Sequence, residues 1–347
     1  MNTPLLFTSD MSNTDREYIF RQASIRTGLP AYIIEKDYMV CLVLSAIFED
    51  LKPQYTYKTA TPFLFKGGTT LSKVYNVINR MSEDIDLSIS MKFLGDPEPE
   101  IESRSAREKR IKRLSDSNRR FVSSIFKSFL VIELEKIHED FMIHIDSDET
   151  QNLIINYPRS LSASDYLDNY VKPQILIETG GKAGFDPHIS YKIEPYALDE
   201  IRELLKVEED CCATVDVLDI ERTFFEKLTL LHELNHRGVL KGVQSVKNRQ
   251  ARHIYDLVQI YKSDPTVVRN FPLLEEVRSH KEKYFRSGPA KWDEAKPGTL
   301  FIISIKDIED ALRNDWRKMT DMFPGGQLPY TFDEMMLVLE EIDRKIN

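Results

Sequence analysis

The sequence is poor in cysteine and tryptophan, and it contains no long apolar run. Three cysteines in 347 residues, two of them adjacent at Cys211 and Cys212, provide neither a disulfide network nor a Cys/His set at zinc spacing. A reducing cytoplasm is the expected compartment. No stretch approaches the ~18 apolar residues of a membrane-spanning helix. The N-terminus, MNTPLLFTSDMSNTDREY, lacks the charged-then-apolar order of a secretory signal, so a soluble protein is expected. Positive charge is not in excess: 47 Lys and Arg against 56 Asp and Glu give −9, which argues against indiscriminate coating of nucleic acid. Internal repeats, low-complexity tracts and a G-x-x-x-x-G-K-[ST] phosphate loop are also lacking. What remains, 41% hydrophobic and 30% charged residues, suits a soluble enzyme with a sizeable core and two packed parts.

The most informative stretch is Phe65 to Ser90, FKGGTTLSKVYNVINRMSEDIDLSIS. Its pattern predicts an apolar strand over Pro62 to Phe65, a Lys-Gly-Gly-Thr-Thr turn, a helix over roughly Leu71 to Asn79, and a strand over Asp84 to Ile89. Side chains alternate along a strand, so Asp84 and Asp86 share one face while Ile85, Leu87 and Ile89 face the core. Two carboxylates on one face repel unless a cation sits between them. Mg²⁺, or Mn²⁺ in its place, fits, because it takes one or two carboxylates and completes its shell with phosphate oxygens and water. Gly67 and Gly68 allow close backbone approach, and the N–H groups of the following helix favour a phosphate. Ser82, and Arg80 if the strand begins early, share the parity of Asp84.

Elsewhere the pattern is largely helical. Asp15 to Thr27 and Pro30 to Leu51 read as helices, the second carrying E-K-D-Y at Glu35 to Tyr38, with Lys36 on its apolar stripe. A charged helical section follows over roughly Pro97 to Leu134. Residues 101–120 hold eight Lys and Arg against three acids, net +5. Either this is a solvated helix face, or Arg107, Arg110 and Arg113 contact an RNA backbone. Phe141 to Ile145, Asn152 to Tyr157 and Gln174 to Glu178 read as strands. Glu178 ends the last, where it is either a surface residue or the third carboxylate of a metal site. In the helix Ile220 to His236, Lys227 has Thr223, Phe224, Leu230 and Leu231 as neighbours, and an ammonium on that stripe needs an anion. In R-H-I-Y-D-L, Arg252 and Asp256 form an ordinary i,i+4 pair, or Asp256 serves Lys227 or the metal site. The tail beyond Asp264, ending in TFDEMMLVLEEIDRKI, suggests no site residues.

The order strand, Gly-Gly, helix, Asp-x-Asp strand resembles the polymerase-β-like nucleotidyltransferases. The words EKDY, KGGTTL with R-x-S-x-DIDL, FFEKL and RHIYDL resemble the AbiEii/AbiGii toxin family, which includes the MenT-type toxins. The spacing of 15 residues between Gly68 and Asp84 is longer than usual in the wider superfamily, though the toxin branch tolerates it. The resemblance implies an α+β fold: a polymerase-β-like core, a small mixed sheet with helices, plus helical N-terminal and C-terminal parts. The expected division is a helical segment over 1–60, the core with its inserted basic section over 61–200, and a helical domain over 201–347 completing the active site.

For function the resemblance implies a toxin that moves NMP from an NTP to RNA, with the tRNA 3′ end as acceptor and a cognate antitoxin, protein or RNA, restraining it. Asp84 and Asp86 would be catalytic metal ligands, joined by Glu178. Lys66, Gly67, Gly68, Thr69, Ser82 and Arg80 would bind the nucleotide. Lys227 would be the essential cation facing the triphosphate, and Asp256 a further catalytic residue. Three alternatives stay open: transfer to a small molecule or protein, a non-catalytic GTP- or ATP-binding switch, and a metal-bridged structural site. The Asp pair counts against the switch, and the Gly-Gly turn against the structural site.

Overall fold

Two stretches of chain build each of two units, Met1–Val74 with Ser82–Val217 in the first and Tyr75–Met81 with Leu218–Asn347 in the second. The computed structural model describes residues 4–82, 84–166 and 171–347. Among them are eleven α-helices and one seven-stranded sheet. None of these helices is long and apolar enough to cross a membrane.

The first unit contains the whole sheet. Its strands are β1 Phe63–Lys66, β2 Ile85–Ile89, β3 Met142–Ile145, β4 Leu153–Asn156, β5 Gln174–Gly180, β6 His188–Ile193 and β7 Ala213–Leu218, in the order β3-β4-β5-β2-β1-β7-β6. β1 and β2 are antiparallel, while β2 runs parallel to β5 and β1 parallel to β7. This mixed sheet is larger than expected: β6, HISYKI, is largely exposed with few apolar residues, and β7, ATVDVL, is a short apolar run interrupted by Asp216, so each gives only a weak strand pattern. On β2 the expected core residues Ile85, Leu87 and Ile89 are buried and Asp86 is half-buried, while Ser88, on the Asp86 face, is fully buried. Phe63 and Phe65 of β1 are also buried. Phe63 extends this core by meeting Phe93 edge-on at a centroid distance of 5.4 Å and stacking on Phe121 at 5.9 Å.

Helices α1 Asn13–Thr27 and α2 Ala31–Ser45 belong to this same unit. α1 starts at a Ser12/Asp15 capping box and stops at Gly28, whose φ of 72° would strain other residues. α3 Gly68–Lys73, α4 Arg104–Arg120, α5 Lys127–Glu135 and α6 Leu198–Leu205 follow.

The expected helix over Leu71 to Asn79 is corrected. α3 begins at Gly68 and ends at Lys73, and Asn76 adopts a left-handed φ of 51°. The backbone of 75–81 instead finds partners in the second unit, which outweigh local helix preference. The Tyr75 hydroxyl donates to Leu218 O at 2.9 Å, the Asn79 N–H to Tyr255 Oη at 3.1 Å, and the Met81 N–H to Met322 O at 2.7 Å. That unit is otherwise α7 Ile220–Lys241, α8 Arg252–Ser263, α9 Phe271–Tyr284, α10 Lys306–Arg317 and α11 Phe332–Ile346. Its aromatic core stacks Tyr255 on Trp316 at 5.6 Å, with Phe323 edge-on to Tyr255 at 5.2 Å.

Candidate active site

In the first unit, sheet register places Lys66 of β1 and Glu178 of β5 on either side of Asp86. Paired residues of neighbouring strands face the same way, so these three side chains form a row across one face. Glu178 is exposed, Asp86 half-buried, and Asp84 half-buried just before β2. The Asp86 carboxylate lies directly against the Gly67 turn: a Cβ on Gly67 would sit 1.7 Å from Asp86 Oδ2. Gly67 also holds a φ of 86°. Glycine is therefore required twice over, by backbone conformation and by the carboxylate occupying its side-chain space.

Thr69 and Thr70 tighten this turn. The Thr69 hydroxyl donates to Asp84 O at 2.6 Å and lies 3.3 Å from Ser82 Oγ, while the Thr70 hydroxyl donates to Gly67 O at 2.9 Å. The Thr69 side chain thus holds the start of β2, leaving backbone groups as what this turn can offer a phosphate.

Gly67→Ala is expected to lower nucleotidyl transfer about 100-fold, the scale on which a displacement near 1 Å acts. Single-turnover transfer, with circular dichroism to check folding, measures it. Activity close to wild type would mean that the position of the Asp86 carboxylate is unimportant.

A divalent cation can be tested against this geometry. Among the described residues no group of three or more His, Cys, Asp and Glu side chains is placed to hold a metal ion. Asp84, Asp86 and Glu178 therefore do not form a ready three-carboxylate cage. Mg²⁺ does not need one, since one or two carboxylates with water and substrate oxygens suffice. The Asp86 carboxylate, cradled on a glycine and making no hydrogen bond or ion pair with a described residue, fits that mode.

In the second unit Arg80, Lys227 and Asp256 meet. Arg80 grips Asp256 through two hydrogen bonds of 2.8 Å, Nε to Oδ1 and Nη2 to Oδ2. Lys227 Nζ lies 2.9 Å from Oδ2. Asp256 is fully buried, and Arg80 is 4% exposed. Burial alone would raise the Asp256 pKa, but Arg80 and Lys227 outweigh it and hold the carboxyl well below its ordinary range. His253, one residue after Arg252, is kept neutral, chiefly by burial and then by the charge of Lys227.

These contacts revise one expectation and decide between the alternatives of another. Arg80 does not continue the β2 strand toward the nucleotide turn; its side chain is committed to Asp256. Of the readings open for Asp256, the pairing with Lys227 is the one observed, shared with Arg80 rather than with Arg252.

The basic section also differs from expectation. Arg110 is 2% exposed and forms a bidentate pair with Glu102 at 2.9 and 3.1 Å, which withdraws it from any RNA contact. Arg107 lies 3.5 Å from the same carboxylate, and exposed Arg113 is bidentate to Asp96 at 2.8 and 3.1 Å. Acids distant by several turns absorb charges that a count over 101–120 treats as available.

The EKDY word is a set of buried fastenings in the first unit. Glu35 accepts from the N–H groups of Ser160 and Leu161 and from the Tyr166 hydroxyl. Lys36 is buried too. Asp37 accepts from Lys73 Nζ and from the Tyr196 N–H, and the Tyr38 hydroxyl donates to Asp210 at 2.6 Å. Sequence reasoning missed the Asp37–Lys73 pair; its only signal was a charged string inside an apolar helix.

A family model described as nucleotidyl transferase AbiEii toxin, type IV TA system, matches residues 56–337. No curated protein matches the chain. The matched span contains the Gly67 turn, Asp84, Asp86 and Glu178 of the first unit and Arg80, Lys227 and Asp256 of the second, and the chain belongs to the AbiEii nucleotidyl transferase toxin family of type IV toxin–antitoxin systems.

Proposed function

We propose that this protein is a Mg²⁺-dependent enzyme of the cytoplasm, with Mn²⁺ an effective substitute, that transfers NMP from an NTP to the 3′ end of tRNA. A cognate antitoxin, protein or RNA, restrains it. The observation that carries the reading is the Asp86 carboxylate seated on the Gly67 turn, beside Glu178 in register.

The acceptor hydroxyl oxygen forms a bond to the α-phosphorus, the bond from that phosphorus to the β-phosphate oxygen breaks, and pyrophosphate leaves. Asp84 and Asp86 would hold Mg²⁺, and the ion would supply activation of the acceptor hydroxyl and charge neutralisation at the leaving group. Glu178 is assigned the hydroxyl proton. The backbone at Gly67, Gly68 and Thr69 is assigned the phosphates, with Lys66 and Ser82 beside it, and Lys227 the neutralisation of polyphosphate charge.

The test is incubation of purified protein with Mg²⁺, total tRNA and each labelled NTP in turn, beside Asp84→Ala and Lys227→Ala. Label entering tRNA with wild type alone is expected, and it names the nucleotide. NTP binding without labelled RNA would overturn the RNA acceptor. A small-molecule or protein acceptor is the second reading, favoured by the internal pairing of Arg107, Arg110 and Arg113 with Glu102 and Asp96.

A further inference from the structure

The Gly67 turn opens α3, which has only six residues, Gly68–Lys73. A helix this short does not hold itself in water, because nucleation costs more than one turn of hydrogen bonds returns. Its shape must be imposed from outside. At its first turn the Thr69 hydroxyl fastens it to Asp84 O. At its last residue Lys73 Nζ donates to Asp37 Oδ1 of α2 at 2.6 Å, with the two side chains 4% and 9% exposed. The other Asp37 oxygen accepts the Tyr196 N–H at 2.7 Å, and the Tyr196 ring lies 4.2 Å from the ammonium. Each oxygen of Asp37 therefore has its own donor, and one ring covers the cation. The pair is closed off from solvent.

We infer that Asp37 and Lys73 are positioning residues for nucleotide binding: the buried pair pins the end of α3 and so fixes the Gly67 turn under the Asp86 carboxylate. The inference rests on the proposed reading of the Gly67 turn as the nucleotide site. Neither residue is assigned to the ligand. Their effect passes from α2 through Lys73 to α3, and from α3 through Gly67 and Thr69 to Asp86 and Asp84. A cation at a helix C-terminus also suits the helix dipole, so Lys73 helps set α3 in two ways.

Lys73→Met and Asp37→Asn test this, with Lys73→Arg as the conservative variant. Calorimetry reads the affinity for Mg²⁺ with each NTP, and hydrogen exchange reads the amides of 68–73 and 84–86, at a temperature where each variant is folded. Lys73→Met is expected to weaken nucleotide binding about 10- to 100-fold, as loss of an outer-layer partner of a ligand site does. Faster exchange confined to those amides should accompany it, and Lys73→Arg should recover part of both. Folded variants with wild-type affinity and exchange would overturn the inference. If Lys73→Met does not fold, Asp37→Asn and Lys73→Arg carry the comparison. A wild type that binds no NTP, yet whose 68–73 amides loosen in Lys73→Met, would sink the nucleotide reading and leave the pinning of α3 standing.

Discussion

Asp86→Asn is expected to abolish nucleotidyl transfer, by about a thousandfold or more, without harming the fold. Loss of several kcal/mol of transition-state charge stabilisation has that scale, since each ~1.4 kcal/mol is tenfold. Asn keeps the shape that fills the space over Gly67, so the turn need not move. It removes one of two carboxylates directly in register, Asp86 and Glu178, and like charges opposite one another destabilise a sheet. The melting temperature should therefore stay level or rise slightly while activity is lost. Calorimetric melting alongside single-turnover transfer separates the two effects. A variant that still transfers at a tenth of the wild-type rate would remove Asp86 from the chemistry.

Asp256→Asn should do the opposite, lowering stability by roughly 3–5 kcal/mol, the usual cost of breaking a buried ion pair from one side. Arg80 and Lys227 would lose their shared countercharge inside the second unit. Replacing all three together, as Arg80→Met, Lys227→Met and Asp256→Leu, should recover much of that stability, because a packed apolar trio leaves no stranded charge. Denaturant melts of the single and triple variants give the comparison. A fall below about 1 kcal/mol in Asp256→Asn would show that the two cations find other partners.

The same carboxylate sets an acid limit. Its pKa is lower folded than unfolded. Its contribution is then fully present above the ordinary carboxylate value of about 4 and fades as pH falls toward the lower folded value. Wild type should lose stability between about pH 4 and 2 more steeply than Asp256→Asn does.

The first half of the candidate site was legible because it is local. KGGTTL and DIDL carry their geometry within one hairpin-like stretch, and β1 and β2 fall within a residue of their expected limits. Glu178 was reachable by alternation along QILIE, although its pairing with Asp86 needs sheet register, which a single strand cannot show. Failures occurred where a distant partner decides the outcome. Arg80 looks like a strand residue until Asp256 claims it, and residues 75–79 look helical until Leu218 and Tyr255 supply their hydrogen bonds. Arg110 looks available to RNA until Glu102 encloses it.

The assignment of Tyr75–Met81 to the second unit has a consequence for how the chain is made. Arg80 leaves the ribosome long before its partner, 176 positions later, exists. Until α8 is synthesised, a guanidinium meant for burial must stay solvated, and the connection between α3 and β2 has no template. Contacts this far apart in sequence form late and slowly. Residues 75–81 should consequently acquire their final order only once α8 has been made. A chain ended before α8 would leave Arg80 without its countercharge and the second unit without α8 and the helices after it.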